Sequence, residues 1–323
     1  MTPGVSLVIV NFNAGAALLR CLEALAIQTL QPTSLILIDN ASTDGSGEKA
    51  STFLASHPSL GGSTEFLRNE QNLGFAAANN HAAVRCNTEF IALLNPDAIP
   101  QPDWLENLVA AATRHPQATS FGSLQMRDVA AGIIDGLGDV YHFSGACWRK
   151  HHGRKLRSSD LVEGEIFSPF AAAALYRRSA FLEVGGFDED FFCYMEDVDL
   201  GFRLRVRGYA AVFVPSAVVE HPSKKRKSDF SVYYGHRNLV WCFVKNMPAP
   251  LLFLFALPHL AQTLYAFFVC ALRGQAGVFI KSKIFAWIGI PKILLKRSSL
   301  TAGKRVSTME IWGFLNKALS PYL

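Results

Sequence analysis

Two short segments carry the residues best suited to chemistry. Gly185-Gly186-Phe187-Asp188-Glu189-Asp190-Phe191-Phe192 leads into Glu196-Asp197-Val198-Asp199-Leu200, so that six carboxylates stand among aromatic rings. Carboxylates beside apolar rings ionise reluctantly, and their pKa values move toward the range of a general base. The double glycine lets the backbone come close to a ligand. The plainer reading is that Glu196, Asp197 and Asp199 favour the positive end of a helix continuing through Arg205. The second segment, Leu93-Leu94-Asn95-Pro96-Asp97, ends an apolar run on a carboxylate after a proline turn. A hard divalent cation bound with a diphosphate needs few protein ligands, because phosphate oxygens and water complete its shell. Asp97 meets that need. His221, after another apolar run, offers an imidazole that suits manganese as well as magnesium. Taken singly, Asp97 reads equally well as a turn residue and His221 as a structural histidine.

These groups need a scaffold, and the pattern of the chain supplies one. Val5 to Val10 and Ser34 to Asp39 read as buried strands, with an amphipathic helix from Ala16 to Ile27 between them. Asn40 to Ser46 has turn and helix-cap chemistry. Thr64 to Leu67 and Phe90 to Leu94 are further strands, with a helix from about Phe75 to Val84 between them. Such alternation predicts an α/β fold with a mostly parallel sheet flanked by helices. Ligands of such sheets sit beyond the carboxyl ends of the strands. Asn11, Asp39 and Asn95-Pro96-Asp97 all fall there. Asp39 suits a base N–H or a ribose hydroxyl, and Asn72-Leu73-Gly74-Phe75 opens a helix whose amides favour an anion. From Phe121 to Phe167 the pattern loosens into expected loops and short antiparallel strands, with a basic cluster from Arg149 to Arg157. Strand character resumes at Ala210 to Val214 and Ala217 to Val219, and a helix from about Phe230 to Lys245 follows.

Composition narrows the class. The 323 residues are 50% hydrophobic with a net charge of +5. Residues 1–200 hold 13 Lys+Arg against 23 Asp+Glu, while residues 201–323 hold 18 against 3, balances of −10 and +15. An acidic body with a basic tail predicts a tail that meets an anionic surface. The tail is too apolar for nucleic acid, and lipid headgroups fit it better. The six cysteines lie far apart, which speaks against zinc and a disulfide framework and for a reducing cytoplasm. The N-terminus has no basic n-region or cleavage site of a signal peptide. Neither G-x-G-x-x-G nor G-x-x-x-x-G-K-[ST] occurs, so neither a dinucleotide fold nor an NTPase is indicated.

The blocks Val5 to Asn13, Ile38 to Ser46, Asn72 to Ala76, Leu94 to Asp97, Leu175 to Arg178 and Gly185 to Leu200 recur in an order that resembles the family 2 glycosyltransferases of GT-A fold. Within that family the rhamnosyltransferase-type branch of bacteria is the nearest resemblance, over residues 5 to 245. The resemblance implies a Rossmann-like catalytic domain at residues 1–245 and a nucleotide-sugar donor, a dTDP- or UDP-sugar. It implies that Asp39 binds the base or ribose with Asn11, Phe12 and Asn13 beside it, and that Asn72 and Gly74 lie on the donor side. Asp97 matches the last carboxylate of the D-x-D element that holds Mg2+ or Mn2+, and Asn95 replaces the first. Asp197 matches the catalytic base, and Glu196 orients the acceptor or tunes that base. His221 falls where some relatives carry a further metal ligand. Arg237 lies within reach of the diphosphate in one reading and is structural in the other. The implied reaction is direct displacement with inversion, most simply L-rhamnose from dTDP-rhamnose to a lipid-linked or polysaccharide acceptor of O-antigen or capsule synthesis. A UDP-hexose donor is the nearest rival. A nucleotidyltransferase fits the Glu-Asp pair less well, and an idle nucleotide-sugar-binding scaffold is at odds with the presence of both Asp97 and Asp197.

Residues 246–323 resemble the family only loosely. Asn246 to Leu272 carries no formal charge and has the length of a membrane span. Basic groups at Lys224-Lys225-Arg226-Lys227 and from Arg273 onward flank it on both sides, which disfavours a single crossing. Gly277 to Arg297 mixes Phe, Ile and Trp with lysines, the composition of an interfacial helix. The expectation is a helical extension that dips into or lies on the cytoplasmic face of the inner membrane. A helical cap on the body or a homo-oligomer contact is the alternative.

Overall fold

The computed structural model describes residues 3–58, 60–222 and 228–318, with backbone alone for residues 299–302. The sequence-predicted basic group Lys224-Lys225-Arg226-Lys227 lies outside the described residues. The first half runs β1 (Val5–Asn11), α1 (Ala16–Ala26), β2 (Ser34–Asp39), α2 (Ser46–Ser56), β3 (Ser63–Arg68), α3 (Gly74–Ala83), β4 (Phe90–Leu94), β5 (Ile99–Pro100) and α4 (Trp104–Arg114). The middle comprises β6 (Ala118–Asp128), β7 (Ile133–Gly136), β8 (Asp139–Tyr141), β9 (Cys147–Arg149), β10 (Gly164–Ile166), β11 (Ala173–Arg177), α5 (Arg178–Glu183), α6 (Glu196–Val206) and β12 (Ala210–Glu220). Helices α7 (Asp229–Asn246), α8 (Ala249–Leu254), α9 (Ala256–Leu272), α10 (Ala276–Ile288), α11 (Ile290–Ala302) and α12 (Thr308–Phe314) follow.

The main path of the sheet is β10-β12-β6-β11-β4-β1-β2-β3, with β5 beside β12 and β7 beside β6. Strands β3, β2, β1 and β4 are mutually parallel, as are β6 and β12, while β11 runs antiparallel between β4 and β6. The alternation of side chains along each strand feeds two cores. Leu7, Ile9, Leu35 and Leu37 pack with α1 and α4 on one face; Val8, Ile36, Ile38 and Leu93 pack with α3 and α6 on the other. The register pairs Asn11 with Asp39, so the ends of β1 and β2 open side by side.

The expected parallel α/β fold is present, with two differences in detail. Helix α4 was not anticipated, although Trp104, Leu105, Leu108, Ala111 and Ala112 form its buried stripe. The loosened region beginning at Phe121 instead starts inside β6, an 11-residue strand at the centre of the sheet. Its buried Ser123 and Gln125 hide the strand pattern. Ser123 accepts from Trp104 Nε1 at 2.8 Å and donates to the Ala173 carbonyl at 2.9 Å, and Gln125 donates to the Phe170 carbonyl at 3.0 Å, so both side chains reach partners far along the chain.

The apolar run from residue 246 breaks at Phe255 into α8 and α9, and among the described residues no helix is long and apolar enough to cross a membrane. Helices α10 and α11 lie along α7. Trp241 Nε1 donates to the Ala286 carbonyl at 2.9 Å, and Gly289 gives the Trp241 ring room that a Cβ, 2.4 Å away, would take.

Candidate active site

The parallel strands place the first group of predicted residues at one edge. Asn11 Nδ2 lies 2.9 Å from Asp39 Oδ1, 3.0 Å from Ser42 Oγ and 2.9 Å from Ser46 Oγ. Asp39 is fully buried, and a Cβ on Gly47 would come within 2.8 Å of its carboxyl carbon, so the carboxylate is seated against the first turn of α2. Among the described residues its Oδ2 has no hydrogen bond, and Arg68 Nε is 3.6 Å away. Asn13, at φ 52°, accepts from the Thr43 amide at 2.8 Å, and Phe12 stands exposed beside it. Just before α3, Asn72 accepts from the Gly74 amide at 2.8 Å, and Asn40 donates to the same oxygen.

Asp97 lies past the end of β4, in a turn whose Asn95 amide donates to the Ala172 carbonyl at 2.8 Å. His221 Nε2 is 3.5 Å from Asp97 Oδ1, and its Nδ1 is 2.9 Å from Asp135 Oδ2. Asp135 on β7 is fully buried and also accepts from Arg149 Nη1 at 2.5 Å. Burial alone would push Asp97 up, but its contact with His221 holds it below the usual carboxylate range. Burial would likewise lower His221, and the two carboxylates outweigh it and raise the imidazole. Asp135, which sequence reasoning did not single out, follows two isoleucines and precedes a glycine; only its position behind His221 reveals it.

Among the described residues no cluster of three or more His, Cys, Asp or Glu is grouped to hold a metal ion. Asp97 and His221 nevertheless fit a cation that takes the rest of its shell from a diphosphate and water. The carboxylate on the far imidazole nitrogen is the arrangement that orients metal-binding histidines.

Asp197 reaches the same edge from α6. Its Oδ2 accepts from the Ala171 amide at 3.2 Å and its Oδ1 from the Val198 amide at 2.8 Å. Phe170, next to Ala171, meets the His221 ring edge-on at 5.7 Å. The 170–172 segment therefore ties Asp97, His221 and Asp197 into one region. Glu196 is buried, and among the described residues its Oε2 has no hydrogen bond. Burial, reinforced by Asp197, pushes the Glu196 carboxyl well up, and burial raises Asp197 against the pull of its backbone amides.

The six carboxylates thus split. Asp188, Asp190 and Asp199 are held below the usual range, because lysines outweigh the effect of burial. Lys245 bridges Asp188 and Asp199 at 2.6 and 2.8 Å, Lys292 pairs with Asp190 at 2.6 Å, and Lys296 pairs with both Asp188 and Asp190. Glu196 and Asp197 follow the sequence expectation of raised pKa.

The intervening loop is strained, with Phe192, Tyr194 and Met195 at φ of 63°, 68° and 69°. Helix α7 holds it. The buried Asn238 Nδ2 lies within 3.0 Å of the Phe191, Cys193 and Tyr194 carbonyls. Arg237 Nη2 donates to the Asp190 and Phe191 carbonyls, and its guanidinium stacks on Trp241 at 4.1 Å. That geometry favours the structural reading of Arg237 over reach to a diphosphate. Gly74, at φ 81°, packs where a Cβ would sit 2.5 Å from the Phe192 ring, which joins the start of α3 to this loop.

A mixed sheet of this order with helices on both faces is the GT-A fold. Solved structures bear this out: the mannosyltransferase PcManGT from Pyrobaculum calidifontis in complex with GDP-Man and Mn2+ matches with a TM-score of 0.60 at 19% identity, over 97% of this chain and 88% of that one. GalNAc-T7 with UDP, GalNAc and Mn2+ matches at 0.58 and 17%, over 76% of this chain and 48% of that one. The glycosyl transferase family 2 model matches residues 6–185, and the chain belongs to that family. It is 32% identical over 246 residues to the N-acetylglucosaminyl-diphospho-decaprenol L-rhamnosyltransferase of Mycobacterium tuberculosis, covering 68% of this chain and 76% of that protein. It is 30% identical over 249 residues to the O-antigen biosynthesis protein RfbC of Myxococcus xanthus, covering 71% of this chain and 18% of that much longer protein. The protein is therefore a family 2 glycosyltransferase, and the resemblance to the rhamnosyltransferase-type branch is matched by these relatives.

Proposed function

We propose that this enzyme transfers L-rhamnose from dTDP-rhamnose, with inversion, to a hydroxyl of a lipid-linked glycan at the cytoplasmic face of the inner membrane. The observation that carries the reading is the Phe170-Ala171 segment, which sets the Asp97–His221 pair and Asp197 around one site. In this reading Asp197 takes the acceptor proton, and Glu196 beside it orients the acceptor. Asp97 and His221 hold a divalent cation, with Asn95 in the same turn. Such a cation, when bound, supplies neutralisation of the charge on a departing diphosphate. Asn11, Phe12, Asn13 and Asp39 receive the nucleoside, and the Asp39 oxygen that makes no hydrogen bond among the described residues supports a base or ribose contact. Asn72 and Gly74 shape the donor side at the start of α3. A carboxylate on the face opposite the leaving group makes a single displacement inverting.

The relative named for N-acetylglucosaminyl-diphospho-decaprenol supports both the rhamnose donor and the lipid-linked acceptor. Residues 1–245 serve catalysis and residues 246–323 serve attachment. Phe253, Leu257, Leu272, Trp287 and Leu295 on α8 to α11 are largely exposed. Each would gain about 1.5–3 kcal/mol from leaving water, and the tail is basic, so an anionic lipid surface suits it.

A donor screen tests the reading. Purified enzyme with a prenyl-diphosphate-linked sugar acceptor is offered dTDP-rhamnose and a panel of UDP- and GDP-sugars. Release of dTDP is expected; release of UDP alone would replace rhamnose with a UDP-hexose.

A further inference from the structure

A diphosphate at this site needs a counter-charge, and the groups placed there so far are Asn95, Asp97, Asp135 and His221. A permanent cation reaches the same region. Arg149, the last residue of β9, places its Cζ 3.6 Å from the centre of the Phe170 ring and donates through Nη1 to Asp135. Gly136 makes the approach possible, since a Cβ there would lie 3.1 Å from Arg149 Cβ and 3.3 Å from its Cδ. Phe170 is the ring that meets His221, and its neighbour Ala171 holds Asp197. Arg149 therefore stands over the segment that joins the two halves of the site.

The guanidinium is fixed yet unsaturated. Its side chain is 24% exposed, and among the described residues Nε and Nη2 make no hydrogen bond. Asp135 does not depend on it alone, because His221 and His152 also face that carboxylate. A planar fork held by a ring on one side and a carboxylate on another, with donors left over, matches the geometry of phosphate recognition.

We propose that Arg149 is a diphosphate-binding residue of this site, its plane set by Phe170 and Asp135 and its free donors directed to phosphate oxygens. The proposal rests on the glycosyltransferase reading above. The diphosphate is that of the nucleotide donor or of a lipid-linked acceptor, and the test separates the two.

The full-length protein and its Arg149→Met and Arg149→Lys variants are titrated calorimetrically with dTDP, UDP, thymidine and detergent-solubilised farnesyl diphosphate. Arg149→Met is expected to weaken diphosphate binding by about 10–100-fold, the loss of a charge-assisted contact, while thymidine binding stays as in the parent. A loss confined to dTDP or UDP assigns the donor, and one confined to farnesyl diphosphate assigns the acceptor. Parent-like affinity of Arg149→Met for all three diphosphates would overturn the proposal. Should Arg149→Met fail to fold, Arg149→Lys, which keeps the charge opposite Asp135, is read instead. A several-fold loss is then expected, and unchanged affinity overturns the proposal. A parent protein that binds no diphosphate better than thymidine would remove the function reading itself, and the proposal with it.

Discussion

Asp135 stands directly behind His221: its carboxylate lies 2.9 Å from the imidazole Nδ1, and the other ring nitrogen turns toward Asp97. A carboxylate in that place fixes ring orientation and raises ligand basicity, and its loss from a metal site typically costs about 10–100-fold in affinity. Asp135→Asn keeps the shape of the buried side chain and removes the charge. Manganese affinity, read by the EPR signal of free Mn2+, is expected to fall within that range. Equal affinity in parent and variant would show that Asp135 serves only the fold.

Glu196 and Asp197 share a buried position in which both carboxyls titrate above their ordinary values, by burial and, for Glu196, by its neighbour's charge. A raised folded pKa contributes stability below the unfolded value of about 4, lost as pH rises through the folded value. At neutral pH the pair therefore costs stability. Glu196→Gln is expected to raise the melting temperature at pH 7.5 by about 2 °C or more, with the gain vanishing below about pH 4. Turnover runs the other way. Asp197→Asn should lower kcat by about 10²–10⁴-fold while donor binding persists, and parent activity should fall as acid protonates Asp197. A variant that turned over normally would displace Asp197 as the base.

Much of this was legible in the sequence, and the exceptions have physical causes. Unbroken aliphatic runs such as Val5 to Val10 reveal doubly buried strands, and strand ends locate Asn11, Asp39 and Asp97 together. Strand β6 was hidden because Ser123 and Gln125 find hydrogen-bond partners far along the chain, which a local pattern cannot register. Asp135 and Arg149 carry no motif of their own; β7 and β9 bring them to the site from the irregular middle of the chain. The run at residues 185–199 was legible as acidic but not in how it divides, since Lys245, Lys292 and Lys296 arrive from α7 and α11.

Lys292 and Lys296 make the tail part of the support of the loop before Asp197. Lys296 on α11 pairs with Asp188 and Asp190, a few residues before the strained turn that delivers Asp197. The low pKa of these aspartates contributes stability above their unfolded values, lost as pH falls through the folded ones. Lys296→Ala is expected to speed hydrogen exchange of amides 186–195 by about 10-fold and to lower kcat, without exchange changes in β1 to β4. Lys296→Arg, which keeps a cation between Asp188 and Asp190, should retain most of the protection. Exchange identical to the parent in the single variant would show that α11 and the loop are uncoupled.

The exposed face of α9 and α10 gives the remaining prediction. Leu264, Ile284 and Trp287 line an apolar cleft of about 240 Å³ between these helices. If the face meets lipid, two forces of different salt dependence hold it: apolar transfer, which salt leaves intact, and headgroup attraction, screened over about 10 Å at 0.1 M salt. Flotation with vesicles containing anionic lipid is expected to carry the parent protein upward, and less so at high salt or with neutral vesicles. Leu264→Glu with Trp287→Glu should abolish flotation while leaving turnover on a water-soluble acceptor analogue unchanged. Sedimentation without lipid distinguishes the rival use of the face, because a dimer dispersed by the same two substitutions would mean that a second copy, and not a membrane, covers these helices.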